Sequence, residues 1–123
     1  MISSIVRLDG APSWEECGPA PDRILQGRPV HRAWNVFTDP SRQFFCGRWS
    51  SSPGKWRVRY TESELCVITA GRVTLESVAG ERQSFVAGDA FVVPAGFEGT
   101  WTVHEECTKI YAIFEPQAQA ANH

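Results

Sequence analysis

Hydrophobic and polar residues alternate with a period of two through most of the chain from Ala33 onward. This period is typical of strands that bury one face, and Gly, Pro, Asp and Ser residues separate the alternating runs at short intervals. No run shows the 3.6-residue period of an amphipathic helix. The pattern predicts an all-β, closed or sandwiched antiparallel sheet. Nine strands are predicted, at 34–37, 43–49, 55–60, 65–69, 72–78, 83–86, 90–93, 97–103 and 108–114.

The stretch 88–101 has the clearest turn pattern. Gly88 and Asp89 predict a turn in which the Asp side chain caps backbone amides, and four apolar residues follow. The strand then ends at Pro94, because proline cannot donate a hydrogen bond to a sheet ladder. Gly96 predicts the next turn, and another strand begins directly after it. Two hairpins are also predicted, one at Ala70–Gly71 and one at 79–81.

The first 32 residues are predicted to form an extended arm, because their four prolines are spaced too closely for any long helix. Ile24 and Leu25 are the predicted points at which this arm docks. We therefore divide the chain into an arm (1–32) that packs on the barrel or on a dimer partner, a barrel (33–115) and a C-terminal tail (116–123).

Composition narrows the class of protein. The chain has 123 residues, 42% of them hydrophobic, which predicts one domain with an ordinary core. Its four cysteines include no Cys-x2-Cys pair, so neither a zinc knuckle nor a thioredoxin-type redox pair is indicated. Cys46 and Cys66 fall in apolar strand patterns and are predicted to be buried thiols. There is no signal peptide and no apolar run long enough to span a membrane, which predicts a cytoplasmic protein.

The charge pattern does not favour a nucleic-acid partner. The formal net charge is −2, and charges of both signs are mixed along the chain. The one basic cluster, Lys55, Arg57 and Arg59, alternates with apolar residues. It is therefore predicted to be the solvated face of a strand rather than a nucleic-acid surface.

The turn pattern of the stretch 88–101 resembles the second signature of the cupin superfamily, Gly-x5-Pro-x-Gly-x2-His-x3-Asn. Gly88, Pro94 and Gly96 match it, whereas Gly99 and Val103 stand at the positions of its His and Asn. The resemblance implies a cupin barrel, that is, an antiparallel double-stranded β-helix or jelly roll. It also implies a homodimer formed through the arm and an edge strand.

Upstream, Glu64 and Gly71 resemble the end of the first cupin signature, with Val58 and Tyr60 at the positions of its two histidines. More narrowly, the stretch from Ala33 to Phe114 resembles the DUF861-type cupins, grouped with ureidoglycine aminohydrolases and ethanolamine-utilisation cupins. The residues that carry this likeness include Gly47, Trp49, Pro53, Gly54, Trp56, Asp89, Ala95, Phe97, Trp101, Lys109 and Tyr111.

The metal site that the resemblance implies is mostly missing. A catalytic metal needs three or four imidazole or carboxylate ligands, and only Glu64 keeps its position. Val58 and Gly99 cannot ligate, and Tyr60 is a poor neutral ligand. The three histidines are predicted to lie on the surface, with His104 at a strand end. We therefore expect no metal and no other cofactor at the usual place. These histidines are His31, His104 and His123.

The cupin register turns a set of aromatic and charged residues toward the barrel mouth. A lone carboxylate there is costly unless it is paired, and Lys109 is the best partner for Glu64. Two interpretations stay open: an ion pair that fixes barrel closure, or a site that holds the polar end of a small ligand between aromatic walls, with space left by Gly99. Glu62 joins this face by strand parity unless a bend at Thr61 turns it outward. The candidate ligand-binding residues are Trp56, Tyr60, Glu64, Trp101, Lys109 and Tyr111.

Three functions of different class follow. The first is a small-molecule-binding cupin without the usual metal. The second, implied by the resemblance, is an enzyme acting on a small nitrogenous metabolite, like ureidoglycine aminohydrolase. The third is a non-catalytic dimerisation or scaffold module. Trp49 and Phe97 lie beside turns and are predicted to plug the barrel ends rather than to contact a ligand.

Overall fold

The structure is a computed structural model that describes residues 4–116. Within that range the regular structure is strand apart from a single 3-10 turn at Pro21–Arg23, because period-two segments alternate with turn residues throughout. The strands are β1 (Glu15–Gly18), β2 (Ile24–Gly27), β3 (His31–Thr38), β4 (Phe44–Ser51), β5 (Gly54–Arg59), β6 (Ser63–Ser77), β7 (Arg82–Val86), β8 (Ala90–Val93) and β9 (Glu98–Phe114).

The longest strand, β9, joins the rest of the sheet. One of its edges pairs antiparallel with β5 and then with β4, and β6 pairs along the other edge. β6 also pairs with β7 and β8, while β3 pairs with β4. The nine strands form one sheet that curls into a cupin barrel, as the sequence predicts.

Three of the predicted turns are present. At Gly96 the Phe97 amide donates to the Pro94 carbonyl at 3.1 Å. The β6–β7 hairpin is closed by the Ser77 amide, which donates to the Glu81 carbonyl at 2.8 Å. In the turn before β8, the Val86 amide donates to the Asp89 carboxylate at 2.8 Å, so this side chain caps the turn as predicted. β8 stops at Val93, directly before Pro94.

The predicted hairpin at Ala70–Gly71 is wrong, because β6 runs through this position without reversing. The pairing of β6 with β9 shifts register between Ile68 and Arg72, which marks a β-bulge. Gly71 has φ of +92°, and a Cβ there would collide with the backbone carbonyls of β9. The glycine therefore bends the strand instead of turning the chain.

The arm adds an edge strand on each side of the sheet. β1 pairs with β3, and β2 pairs with β5 of the same chain, with Ile24 opposite Trp56. The division into arm, barrel and tail stays a prediction. The tail from residue 117 onward lies outside the described residues.

The core lies between the inward faces of β5, β6, β8 and β9. On β5 the predicted alternation is confirmed, since Trp56 is buried and Arg57 and Arg59 are exposed. Cys66 is buried as predicted, but Cys46 is only partly buried, which corrects that prediction. No helix in the described range could cross a membrane. The buried apolar residues are Trp56, Cys66, Ile68, Val73, Leu75, Val93, Trp101, Val103 and Cys107.

Candidate functional site

A cavity of about 300 Å³, partly open to solvent, lies at the mouth of the barrel. Its walls come from β3, β4, β5, β6 and β9, and the period of two places every second side chain of these strands toward it. All six residues predicted from the sequence line this one cavity: Trp56, Tyr60, Glu64, Trp101, Lys109 and Tyr111.

Cross-strand pairing fixes the position of the charged residues. Lys109 of β9 lies directly opposite Trp49 of β4 on one side and Ile68 of β6 on the other. Glu64 of β6 lies opposite Ile113 of β9. The two charged side chains therefore come from neighbouring strands and point to the same face of the sheet.

Glu64 and Lys109 form a buried ion pair. Lys109 Nζ lies 2.9 Å from Glu64 Oε2. The Lys109 side chain is 4% exposed and the Glu64 side chain 7%. The ammonium also lies 4.5 Å from the Trp49 ring centre and 4.4 Å from that of Trp101, at cation–π distance. Burial lowers the pKa of Lys109, but the Glu64 carboxylate together with Cys66 and Cys107 raises it to about 12. The lysine is therefore a fixed cation at neutral pH.

A chain of hydrogen bonds extends from the ion pair to the aromatic wall. The Tyr60 hydroxyl donates to Glu64 Oε1 at 3.0 Å and accepts from Trp101 Nε1–H at 3.1 Å. Burial and the neighbouring carboxylate raise the pKa of Tyr60 well above its ordinary value, so the hydroxyl keeps its proton. Trp101, Tyr60, Glu64 and Lys109 thus form one network that holds the carboxylate in place.

The ion pair keeps hydrogen-bonding capacity toward the cavity. Each Glu64 oxygen accepts one of these hydrogen bonds, whereas a carboxylate offers about four acceptor positions. Lys109 Nζ has three N–H donors, of which one faces Glu64 and one donates weakly to Cys66 Sγ at 3.5 Å. Burial raises the pKa of Cys66 to about 12, so it stays a neutral thiol. A donor and an acceptor therefore lie side by side.

The site does not fit the metal ion of typical cupins. Val58 is apolar, and a side chain at Gly99 would collide with the backbone of Glu76. Gly99 therefore packs against β6 and does not line the cavity, so the prediction that it leaves space for a ligand is wrong. The Lys109 ammonium stands beside Glu64, the only ligand position that is kept. Within residues 4–116, no three His, Cys, Asp or Glu side chains are grouped so that they could hold a metal.

Protein purified without chelator or affinity tag is expected to contain manganese, iron, zinc and nickel far below one equivalent per chain. The reason is that Glu64 already has a cationic partner at 2.9 Å, which repels a second cation. Elemental analysis of the purified protein measures this directly. Near one equivalent of any of these metals would contradict the assignment of Lys109 as the cation of the site.

His31 is not on the surface, which corrects its prediction. It is 7% exposed, and its ring centre lies 4.2 Å from that of Trp56 and 4.9 Å from that of Trp49. Its Nε2 atom is buried without a hydrogen-bond partner. Burial and the positive charge of Lys109 lower the pKa of His31 to about 4. The imidazole is thus a neutral part of the cavity wall.

His104 does not line the cavity. His104 lies inside β9 rather than at a strand end, which corrects that prediction. Its Nε2 is 2.8 Å from the hydroxyl of Thr74. His123 lies outside the described residues.

Trp49 is the main residue that the sequence prediction missed. It lines the cavity and contacts Lys109 and His31, rather than only plugging a barrel end. The pairing of β4 with β9 would have indicated this role, because it places Trp49 directly beside Lys109. Phe97 contacts Tyr60 at a ring distance of 6.2 Å and does not line the cavity.

Glu62 and Tyr111 complete the polar wall. The chain bends at Thr61, whose amide donates to Glu62 Oε1 at 3.0 Å, yet Glu62 still lines the cavity. The Tyr111 hydroxyl donates to Asn35 Oδ1 at 2.7 Å, and burial raises its pKa to about 12. Tyr111 therefore contributes an aromatic wall rather than a free hydroxyl.

Comparison with solved structures shows what this barrel is similar to. A protein of unknown function of the DUF861 family from Pseudomonas syringae pv. tomato is 27% identical, with a TM-score of 0.78 over 86% of this chain. This chain covers 46% of that protein, less than half of its length. A DUF861 protein of Thermotoga maritima is 26% identical, with a TM-score of 0.51. The match covers 52% of this chain and 73% of the Thermotoga protein.

The same fold occurs in an ethanolamine-utilisation protein. The EutQ protein of Clostridium difficile is 18% identical, with a TM-score of 0.65. The match covers 76% of this chain and 69% of the EutQ protein. No curated protein sequence matches the chain. The family model described as the EutQ-like cupin domain matches residues 38–111, which is more than half of the chain. The chain therefore belongs to the family of EutQ-like cupin domains.

Proposed function

We propose that this cupin domain binds a small organic molecule in the cavity beside the Glu64–Lys109 ion pair. The observation that carries the proposal is the cavity itself, about 300 Å³ at the mouth of the barrel in a chain of 123 residues. Small barrels without a ligand fill their interior with side chains, because protein cores are close-packed. Here the space is kept open between indole rings and one charged pair, which is the composition of a ligand site.

The chemistry of the wall favours a flat ligand that carries an amide or urea group. Glu64 can accept a further hydrogen bond, and the third N–H of Lys109 can donate one to a neighbouring atom. An amide or urea presents an N–H donor and a carbonyl acceptor side by side, and so satisfies both. The faces of Trp49, Trp56 and Trp101 then enclose the rest of a planar molecule.

A thermal-shift screen of small amides, ureas and carboxylic acids tests this proposal. Amides or ureas are expected to raise the melting temperature in a concentration-dependent way, because they bind only the folded chain. Val58→Phe fills the cavity without touching the ion pair, and it should abolish the shift. The matched control is Val78→Phe at a position that is 80% exposed, which should keep the shift.

Two results would contradict the proposal: no compound of the screen stabilises the protein, or Val58→Phe binds the active compounds as well as the parent does. The second result would place the ligand outside the barrel. Calorimetric titration of the best compound against both variants distinguishes these cases from a mere loss of fold.

The two alternative functions have less support. An enzyme like ureidoglycine aminohydrolase would need a group that activates water, and the side chains beside Glu64 do not fit a metal. A pure scaffold would be expected to fill the cavity with side chains. That the protein is a cytoplasmic homodimer with neither nucleic-acid nor membrane partners stays a prediction.

A further inference from the structure

A second concave space adjoins the cavity. It has a volume of about 360 Å³, and we call it the outer groove. The 3-10 turn and the two residues before it form one wall, and β5 forms the other. The outer groove and the cavity share five lining residues, so the two spaces meet. The shared residues are His31, Trp56, Val58, Tyr60 and Glu62.

Positive charge dominates the outer groove. Arg23, Arg57 and Arg59 line it, against one carboxylate, Glu62. Arg59 lies 3.6 Å from Glu98, in an exposed pair. Among the described residues, Arg23 and Arg57 have no acidic partner within ion-pair distance. A concave wall with an excess of one charge concentrates ligands of the opposite charge.

An unsatisfied polar side chain lies where the two spaces meet. His31 lines both the cavity and the outer groove and is more than nine-tenths buried. Its Nε2 atom has no hydrogen-bond partner, which is unfavourable for a buried polar atom. A molecule that extends from one space into the other passes this imidazole and can supply the missing partner.

We propose that the outer groove is a subsite for an anionic group, a carboxylate or a phosphate, of a ligand whose uncharged part lies in the cavity. The claim that the uncharged part lies in the cavity rests on the proposed function. The claim that the anionic group lies in the outer groove rests on the arginines alone. Arg23 and Arg57 attract and bind the anion as guanidinium groups, which suit both carboxylate and phosphate geometry. The natural ligand is thus an amphipathic acid rather than a neutral molecule.

The first experiment tests the outer groove with simple anions. Acetate and inorganic phosphate are titrated separately into 15N-labelled protein at constant ionic strength. At least one anion is expected to shift the amide resonances of residues 20, 22, 23 and 57–59 saturably, and the stronger one identifies the group. The double variant Arg23→Gln/Arg57→Gln should lose the effect, whereas the control Arg72→Gln/Arg82→Gln on another surface should keep it. Absence of a saturable shift with both anions would overturn the subsite.

The second experiment tests whether one ligand occupies both spaces. Hippurate carries a flat amide and a carboxylate, and methyl hippurate has nearly the same shape without the charge. Hippurate is expected to bind at least fivefold more tightly, and the Arg23→Gln/Arg57→Gln variant should remove this difference. The indole N–H resonance of Trp101 reports occupation of the cavity.

The outcomes separate the two proposals. Equal affinity for the two compounds overturns the anionic subsite and leaves small-molecule binding in the cavity standing. Another outcome is that neither compound shifts the Trp101 resonance while acetate or phosphate still shifts the amide resonances of residues 20, 22 and 23. This result would mean that the outer groove binds anions but that no single ligand extends from it into the cavity. In that case the amide proposal fails by itself.

Discussion

Replacement of Glu64 by glutamine is expected to lower the free energy of unfolding by about 3–5 kcal/mol. The reason is that Lys109 would remain buried at 4% exposure without its counter-ion. Tyr60 would also lose its charged acceptor. Lys109→Met should cost a similar amount, because it leaves the Glu64 carboxylate buried and unpaired. Urea unfolding followed by circular dichroism measures both variants.

The double variant Glu64→Gln/Lys109→Met distinguishes a true ion pair from two independent effects. It removes both charges and is expected to recover a large part of the loss, because no buried charge is left unpaired. The matched control is Glu105→Gln in the exposed Arg72–Glu105 pair, which should change stability by less than about 1 kcal/mol. A Glu64→Gln variant as stable as the parent would contradict the buried ion pair.

The same variants separate structure from binding. If the pair only fixes barrel closure, ligands of the thermal-shift screen should still bind the double variant. If the ligand contacts the pair, the double variant should fold but bind amides at least tenfold more weakly. A titration of the folded double variant at 10 °C makes this comparison.

The protein is expected to lose stability as the pH falls from about 6.5 toward about 4, because of His31. Its pKa is lowered from 6.5 to about 4 by burial and by Lys109. In this window the unfolded chain binds a proton on His31 that the folded chain does not bind. Stability therefore rises with pH here and is lost on acidification, by at most about 3 kcal/mol.

A variant that cannot titrate isolates this contribution. The comparison is with His31→Phe, which has no titratable side chain at this position. This variant keeps an aromatic ring between Trp49 and Trp56 and should show a smaller loss of unfolding free energy between pH 7 and 4.5. His104→Gln is the control: burial and Arg72 lower the pKa of His104 as well, but its ring is partly exposed and outside the cavity, so its removal should change the pH dependence less than His31→Phe does. Identical pH dependence of His31→Phe and the parent would contradict the prediction.

The fold could be predicted because its signals are local. The period of two, the Pro94 strand end and the Asp89 turn each depend on a few neighbouring residues, and the structure contains all three. Gly71 shows the limit of such signals. A hairpin and a β-bulge both require a glycine with positive φ, so the residue alone does not say whether the chain turns or bends.

The sequence predicts which residues face inward, but not the residues whose position depends on the order of the strands in the sheet. The cupin register placed Glu64 on the inward face, and the path of the closing strand indicated Lys109 as its partner. Neither could place His31 or Trp49, because their positions depend on which strands lie beside each other across the sheet. His31 begins β3 and reaches the cavity only because β3 pairs with β4, which in turn pairs with β9. The order of these strands in the sheet is set by the whole fold and cannot be read from the residues around His31.

The position of β9 in the chain has a consequence for biosynthesis. β4, β5 and β6 all leave the ribosome before β9, yet each has β9 as a neighbour in the sheet. During translation these strands therefore expose unpaired edges until residue 114 has emerged. Nascent chains that stall before this point should depend on chaperones, since unpaired edges template aggregation. The barrel therefore cannot close before the last strand arrives.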